Sequence, residues 1–417
     1  MCAGVCVLEM RPVPLSLLLS VLVLLCINLT LSSGEDDYTW PQRKMPLVHN
    51  KGTVRLSVSS FSAERQSELN GMCGIECQHE LPEPTMEDLQ EMLSYETMYE
   101  NGTRTLTSIT LHELEVTAEN TSSSSGSRHK REVYGPDTRF TISDKQYSMK
   151  YPFSTSVKIS TGCTGVLVSP KHVLTAAHCI HNGTDYLRGA EKLSVGVLRD
   201  RKKGRKRRRG KGRKEEEERE KTEMEMGGKR RERKSKGRKS RNKRSVLSGK
   251  PTFRWTRVKK TQIPRGWFKG VSDSTEADYD YAVLELKKMQ KVQHMELGII
   301  PSVKKLHASR IHFSGFDDDR PGDLVYRFCS ISDESSDLMY QQCDAKPGAS
   351  GAGVYVRLKE PGNRKWKRKV IGVFTGHQWV QVNGQQQDYN VAVRITPVKF
   401  AQICSWVHGD SSMCQNT

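Results

Sequence analysis

Short stretches in which apolar and polar residues alternate begin near residue 156 and recur toward the end of the chain. Alternation with a period of two residues indicates β-strands that bury one face. Turn residues such as Ser169 and Pro170 separate successive stretches. The predicted strands are residues 156–160, 164–168, 173–175, 281–286, 353–358, 369–376 and 389–395. Many short strands joined by turns predict a mostly β protein, built as an antiparallel barrel or sandwich.

Two segments show helix signals instead. Thr85 is followed three residues later by Asp88, which is typical of an N-terminal capping box and predicts a helix over residues 85–95. Near the other end, Thr396 and Pro397 suit the cap and the first position of a helix. Apolar residues at helical spacing follow, at Phe400, Ile403, Cys404 and Val407. We therefore expect a helix ahead of the strands and a C-terminal helix after them.

Residues 1–34 have the organisation of a secretory signal peptide. The basic residue Arg11 precedes an apolar run over residues 15–31, and small residues follow at 32–34. A membrane anchor is the alternative, because the run is just long enough to span a bilayer. No second apolar run of this length follows, and the small residues favour cleavage. We therefore expect a secreted, extracellular protein with no membrane attachment.

Residues 35–131 are predicted to be a pro-region and linker. Their last part is rich in Ser and ends in the basic sequence RHKR. A processing convertase of the secretory pathway cuts at basic clusters of this kind, so cleavage after Arg131 would make the chain a zymogen. The alternative is a charged linker that no protease cuts. The remaining domain is residues 132–417.

Most of the net charge lies in one insert within that domain. Residues 199–244 contain 25 Lys or Arg and 9 Asp or Glu, which is +16 of the formal net charge of +19. The insert has no apolar periodicity, so we expect a disordered loop. Outside the cell its partners would be heparin-like polyanions, although a solvated loop without a partner is equally consistent. The signal peptide argues against nucleic acid as the partner. A second convertase-like sequence ends at Arg244.

Cysteine and sequon usage fits an oxidising compartment. Eight cysteines remain after the signal peptide, which allows up to four disulfides. Cys73 and Cys77 have no second pair at zinc-ligand spacing, so we expect no metal and no other cofactor. Cys163 and Cys179 flank a predicted hairpin, and a disulfide between them would hold the intervening turn. Glycosylation sequons occur at Asn101, Asn120 and Asn182.

Three short motifs carry candidate chemistry. "TAAHC" contains His178 beside Cys179, and "DYDYAVLEL" places Asp280 directly before a predicted strand, with Asp278 two residues earlier as the rival acid. "GASGAG" contains Ser350 between glycines. A serine hydroxyl becomes a nucleophile when an imidazole accepts its proton and a carboxylate orients that imidazole.

These motifs, in this order, resemble those of the chymotrypsin-like serine proteases over residues 132–417. The resemblance implies a double antiparallel β-barrel, with His178, Asp280 and Ser350 as a catalytic triad acting on a protein or peptide substrate. It also implies an oxyanion hole formed by the N–H groups of Gly348 and Ser350. Asp344 precedes Ser350 by six residues, where trypsin-like members recognise basic side chains, so it is a candidate specificity residue.

The chain also departs from that family. Ala349 replaces an aspartate that normally pairs with the N-terminal amine released by cleavage, and Glu132 is not the usual apolar residue there. The altered motif is similar to that of bacterial glutamyl endopeptidases, which have a histidine near the position of Phe374. One secreted branch of the family is usually described as inactive because threonine replaces the serine, whereas this chain has Ser350.

Two functions therefore remain open. The first is a secreted serine endopeptidase, and the second is a catalytically silent homologue that acts as an extracellular binding protein. Cys329 and Cys343 are expected to pair and brace the loop before Ser350. Cys404 and Cys414 are expected to pair with each other or with Cys73 and Cys77, which would tether the pro-region.

Overall fold

The structure is a computed structural model of the 417-residue chain. It describes residues 39–65, 84–112, 137–199, 252–268, 276–306, 310–362, 365–382 and 385–414. Residues 1–34, Cys73, Cys77, Asn120, Arg131 and nearly all of the 199–244 insert lie outside the described residues. The predictions for those segments stay predictions.

The described residues are mostly β. The strands are β1 Leu47–Arg55, β2 Tyr95–Tyr99, β3 Arg104–His112, β4 Phe140–Ile142, β5 Ser156–Ile159, β6 Thr164–Leu167, β7 His172–Thr175, β8 Ser194–Arg199, β9 Thr252–Pro264, β10 Ala282–Leu286, β11 Glu296–Leu297, β12 Arg310–Gly315, β13 Leu324–Glu334, β14 Leu338–Gln341, β15 Gly353–Lys359, β16 Trp366–Val382 and β17 Gln385–Arg394. The helices are α1 Met86–Leu93, α2 Lys145–Ser148 and α3 Pro397–His408.

Two antiparallel sheets each close into a six-stranded barrel. In the first, the order β9-β10-β7-β6-β5-β8 closes because β8 also pairs with β9. In the second, the order β16-β15-β12-β13-β14-β17 closes because β16 also pairs with β17. Closure removes the unpaired edges that an open sheet would expose. The predicted double-barrel fold class is confirmed.

Strand β10 is buried more completely than the one-face burial that an alternating pattern predicts. In β10, Ala282, Val283, Leu284 and Leu286 are buried, and Glu285 is the more accessible residue. The strong pattern at residues 281–286 is therefore a central strand, paired with β7 on one side and β9 on the other. Strands β8, β9, β12, β13 and β14 were not predicted from the sequence.

Part of the predicted pro-region belongs to the first sheet. Strand β2 pairs with β9, and β3 and β1 follow it to make a nine-stranded sheet. Further upstream, Trp40 is buried against the second barrel, where its backbone N–H donates to the carbonyl of Lys359 at 2.9 Å. The described portions of residues 35–131 are thus built into the body of the protein, whereas the predicted Ser-rich linker and Arg131 lie outside the described residues.

The helices begin where the caps predict. Thr85 and Asp88 form the capping box of α1, although this helix ends at Leu93 because Tyr95 begins β2. Thr396 caps α3, and Pro397 is its first residue. Helix α3 packs against strand β2. The ring of Trp406 in α3 and the ring of Tyr95 in β2 have a centroid distance of 5.3 Å. Within the described residues, no helix combines the length and apolarity needed to cross a bilayer.

Candidate active site

The first barrel positions His178. Strand β7 ends at Thr175, and a single 3₁₀ turn, Ala177–Cys179, follows directly. The predicted disulfide between Cys163 and Cys179 is present, with a Cα–Cα distance of 6.0 Å, and it ties this turn to the segment before β6. His178 is 3% exposed, and the ring of Trp267 lies 6.5 Å from it between centroids. The imidazole is therefore held by the hairpin and the disulfide together.

Asp280 makes two hydrogen bonds with His178. Its Oδ2 lies 2.6 Å from Nδ1 of the ring, and its Oδ1 accepts from the backbone N–H of His178 at 2.8 Å. Asp280 is completely buried, at 0% exposure. Because an ionised carboxylate only accepts, this pairing places the ring proton on Nδ1 and leaves the Nε2 lone pair available.

The rival acid, Asp278, lies elsewhere. It belongs to the 3₁₀ segment Glu276–Tyr279, and its Oδ1 is shielded from solvent without a hydrogen-bond partner. Burial and the nearby charge of Asp337 raise the pKa of Asp278 to about 7, whereas Lys399 acts in the opposite direction. Among the described residues, His178 has hydrogen bonds to Asp280 and none to Asp278.

The second barrel presents Ser350 in the loop between β14 and β15. Residues 346–349 form a turn in which the N–H of Ala349 donates to the carbonyl of Lys346 at 3.1 Å. Pro347 and Gly348, with φ of +100° at the glycine, match the second and third positions of a type II turn. A Cβ at residue 348 would lie 2.4 Å from the carbonyl oxygen of Phe316, so this position requires glycine.

The turn leaves two backbone donors available. Within the part of the chain that the structure describes, the N–H groups of Gly348 and Ser350 have no hydrogen-bond acceptor. The carbonyl of Gly348 faces the other way and accepts from Thr164 Oγ1 at 2.7 Å. Two neighbouring free N–H groups beside a serine are the donor set that a tetrahedral oxyanion requires.

Close packing brings the serine loop against the His178 turn. A Cβ at Gly351 would lie 2.2 Å from both the carbonyl oxygen of Thr164 and Oγ1 of Thr175. Cys179 Sγ is 3.8 Å from His178 Nε2 and also 3.8 Å from the carbonyl oxygen of Ser350. Among the described residues, Ser350 Oγ makes no hydrogen bond to His178. In unliganded catalytic sites this hydrogen bond is often long or poorly aligned, so its absence does not exclude Ser350 as a nucleophile.

A buried ion-pair network supports the serine loop from behind, and sequence reasoning missed it. Asp317, at 0% side-chain exposure, pairs with Arg327 at 2.5 Å and with Arg139 at 2.8 Å. Its Oδ2 also accepts from the N–H of Lys346, at the start of the Gly348 turn, at 3.2 Å. A hydrogen bond with Asp319 raises the pKa of Arg139, whereas burial lowers the pKa of Arg327. The acidic sequence at 317–319 was visible, but its partner 178 residues away was not.

The other predicted site residues have structural partners. Asp344 Oδ2 accepts from the backbone N–H and the Oγ1 of Thr138, at 2.8 and 2.7 Å, so one side of this candidate specificity residue is occupied. Asn101 is exposed in the β2–β3 turn, and Asn182 is half-buried with its Oδ1 bound to the N–H of Asp185. Disulfides join Cys329 to Cys343 and Cys404 to Cys414, so the latter pair bond to each other.

Comparisons with known proteins find similar sequences over most of the chain. A family model described as Trypsin matches residues 142–224. The chain is 51% identical over 399 residues to inactive serine protease 35 of Mus musculus, covering 94% of this chain and 98% of that protein. It is 54% identical over 390 residues to inactive serine protease 35 of Homo sapiens, covering 92% and 94%. Serine protease 23 of Bos taurus is 48% identical over 377 residues, covering 90% and 92%.

The chain belongs to the chymotrypsin-like serine protease family. Within this trypsin-like family, its relatives include serine proteases 35 and 23, and the resemblance seen in the motifs is confirmed. The solved structure of a Glu endopeptidase in complex with MPD covers 66% of this chain and 98% of that chain, with a TM-score of 0.41 and 16% identity. At that score the similarity supports no further statement about this member of the family.

Proposed function

We propose that this family member is a secreted serine endopeptidase that hydrolyses peptide bonds through an acyl-enzyme at Ser350. The observation that carries the proposal is the pairing of a fully buried Asp280 with His178, opposite a loop that offers a serine and two free N–H groups. The three disulfides among the described residues support the extracellular location.

The geometry supports a proton-transfer sequence of the usual kind for such residues. Nε2 of His178 accepts the hydroxyl proton of Ser350 as the oxygen attacks the substrate carbonyl, and later gives it to the leaving amine. Asp280 stabilises the imidazolium that forms between the two steps. The N–H groups of Gly348 and Ser350 donate to the oxyanion of the tetrahedral intermediate, and each such donor contributes about 2.7–4 kcal/mol to the transition state.

A fluorophosphonate probe tests the proposal directly, since it labels a serine only when the hydroxyl is activated. We expect the secreted protein to be labelled and the Ser350→Ala variant to remain unlabelled. Ser335→Ala, in another loop of the second barrel, is the matched control and should label normally. Absence of labelling in a folded sample, both before and after proteolysis at Arg131, would refute the enzyme assignment.

The second candidate function is a catalytically silent binding protein. Two observations favour it: Ala349 replaces the aspartate of the usual activation ion pair, and the serine protease 35 relatives carry the word inactive in their names. Its binding element would be the 199–244 insert, which leaves the first barrel between the paired residues Arg199 and Thr252. Retention on heparin that falls with salt and disappears when residues 200–244 are deleted would support this role.

A further inference from the structure

The outer face of the second barrel carries a patch of cations and exposed rings that the proposed chemistry does not use. We call it the arginine face. Its members are Arg310, Arg357, Lys359, Arg368, Phe328 and Trp366. Phe328 is 37% exposed and Trp366 is 43% exposed.

Strand register places the three arginines side by side. Arg357 of β15 is directly paired with Arg368 of β16. On the other side of β15, the antiparallel strand β12 places His312 opposite Tyr355. Arg310, two residues before His312, therefore lies beside Arg357, two residues after Tyr355. Because neighbouring strands lie about 4.8 Å apart, the three side chains emerge within about 10 Å across three adjacent strands.

Aromatic rings hold these cations at the surface. Arg310 lies 5.5 Å above the ring of Phe328, and Arg357 lies 5.1 Å above the ring of Trp366. The Nζ of Lys359 lies 5.8 Å from the centroid of the same Trp366 ring. These contacts place the cations beside exposed rings at the surface of the barrel.

The charge of the arginine face is not neutralised by the protein. Within the described residues, Arg310, Arg357, Lys359 and Arg368 have no carboxylate within 4.0 Å. The nearby acids Glu296 and Glu360 are both paired with Lys367, at 2.6 and 2.9 Å. Burial, with the charges of Arg368 and Arg310, lowers the pKa of the neighbouring His312 to about 4. Among the described residues, the cations of the face are thus on the folded surface without a carboxylate partner.

We propose that the arginine face is a binding site for a sulfated polysaccharide, separate from the 199–244 insert. Planar guanidinium groups form paired hydrogen bonds with oxyanions, and a row of three matches a ligand with regularly repeated anionic groups. The inference rests on the proposed extracellular location, where sulfated polysaccharides rather than nucleic acids are the available polyanions.

Arginine footprinting tests the site in the full chain. Phenylglyoxal modification, read by mass spectrometry, should fall at Arg310, Arg357 and Arg368 when a heparin hexasaccharide is added. Arg55 and Arg188, exposed on the first barrel, are internal controls and should react equally with and without the sugar. Protection confined to the insert would overturn the proposal. Equal protection by a single-stranded oligonucleotide of the same charge would overturn the assignment to a sulfated polysaccharide.

A matched pair of variants supplies the affinity. Arg310→Gln, Arg357→Gln and Arg368→Gln are combined, and the control combines Lys51→Gln, Arg55→Gln and Arg188→Gln, which removes the same charge elsewhere. Three exposed ion pairs at about twofold to threefold each predict roughly tenfold weaker hexasaccharide binding for the first variant. The control should bind within about twofold of the unmodified protein, and equal losses in both variants would refute a localised site.

The readout is independent of the proposed chemistry. A protein that is not labelled by a fluorophosphonate still has the arginine face, so loss of the enzyme assignment leaves this test intact. Conversely, a protein found inside cells would remove the argument for the polysaccharide without changing whether the three arginines are protected.

Discussion

The two halves of the candidate site are positioned by different means. On the first barrel, His178 and Asp280 are set by neighbouring strand ends, one disulfide and two direct hydrogen bonds. On the second barrel, the Ser350 loop depends on glycines with positive φ and on a buried aspartate held by two arginines, one of them 178 residues away. The proton-accepting half is therefore held by direct hydrogen bonds between two residues 102 positions apart, whereas the nucleophile half depends on ion pairs behind its loop.

The ion pairs behind the serine loop also replace a contact that activation by cleavage usually supplies. In this chain the loop before Ser350 is supported by Asp317, and the cation that neutralises it, Arg139, is an internal residue of the chain. Because Arg139 is a side-chain cation within the chain, its ion pair with Asp317 forms without a new N-terminal amine released by cleavage. The replacement of the usual aspartate by Ala349 thus does not leave the loop without an anchor.

The largest expected effect concerns the first half. Asp280→Asn should lower the rate of fluorophosphonate labelling about 10⁴-fold, because the amide no longer favours the tautomer with a free Nε2 lone pair. Stopped labelling time courses at pH 7.5 measure the rate, and circular dichroism checks the fold. Asp278→Asn is the matched control and should stay within about threefold of the unmodified protein. A larger loss with Asp278→Asn would exchange the roles of the two acids.

The second prediction addresses the ion pairs behind the serine loop. Asp317→Asn leaves Arg327 and Arg139 without their shared carboxylate, and should lower the free energy of unfolding by about 3–5 kcal/mol. Asp319→Asn removes an exposed partner of the same Arg139 and should cost less than about 1 kcal/mol. Chemical denaturation of both variants decides the point. Equal costs would mean that the buried network does not hold the loop.

The third prediction concerns the packing of the serine loop on the His178 turn. Gly351→Ala should destabilise the protein by about 3 kcal/mol, because its Cβ would lie 2.2 Å from two oxygens and its φ is +84°. Gly102→Ala has a similar φ of +80° but open space around it, so about 1 kcal/mol is expected. Melting curves compare the two, and similar shifts would argue against close contact between the barrels at this point.

The smallest effect is a single histidine's share of the pH dependence in the first barrel. Burial lowers the pKa of His172 to about 4 and that of His181 to about 3. Both folded values lie below the unfolded value near 6.5, so their contribution is complete above pH 6.5 and is lost as the pH falls toward 4. Each histidine should lower the unfolding free energy by about 1.4 kcal/mol per pH unit in that window. Chemical denaturation at pH 7 and pH 5 measures how the unfolding free energy changes with pH. His172→Gln should reduce this slope by the contribution of one histidine.

Local sequence patterns predict several strands, two helix caps and one turn of this protein. The strands over residues 281–286 and 353–358, the caps at Thr85 and Thr396, and the His178 turn all depend on residues within a few positions of each other. Alternation, capping and turn chemistry act over such distances, so they can be read along the chain. The order of the three motifs was enough to indicate the family, and the relatives confirm it.

Tertiary structure alone decided the rest. Sequence alternation did not predict that β2 would extend the first barrel from inside the presumed pro-region, nor that Asp317 would lie between Arg139 and Arg327. The contacts of β2 with β9 and of Asp317 with Arg139 join residues far apart in sequence, and their partners are selected by barrel closure and by the requirement that a buried charge be paired. The sequence by itself therefore determined the chemistry available at the site, and the closure of two barrels determined what holds each half of it in place.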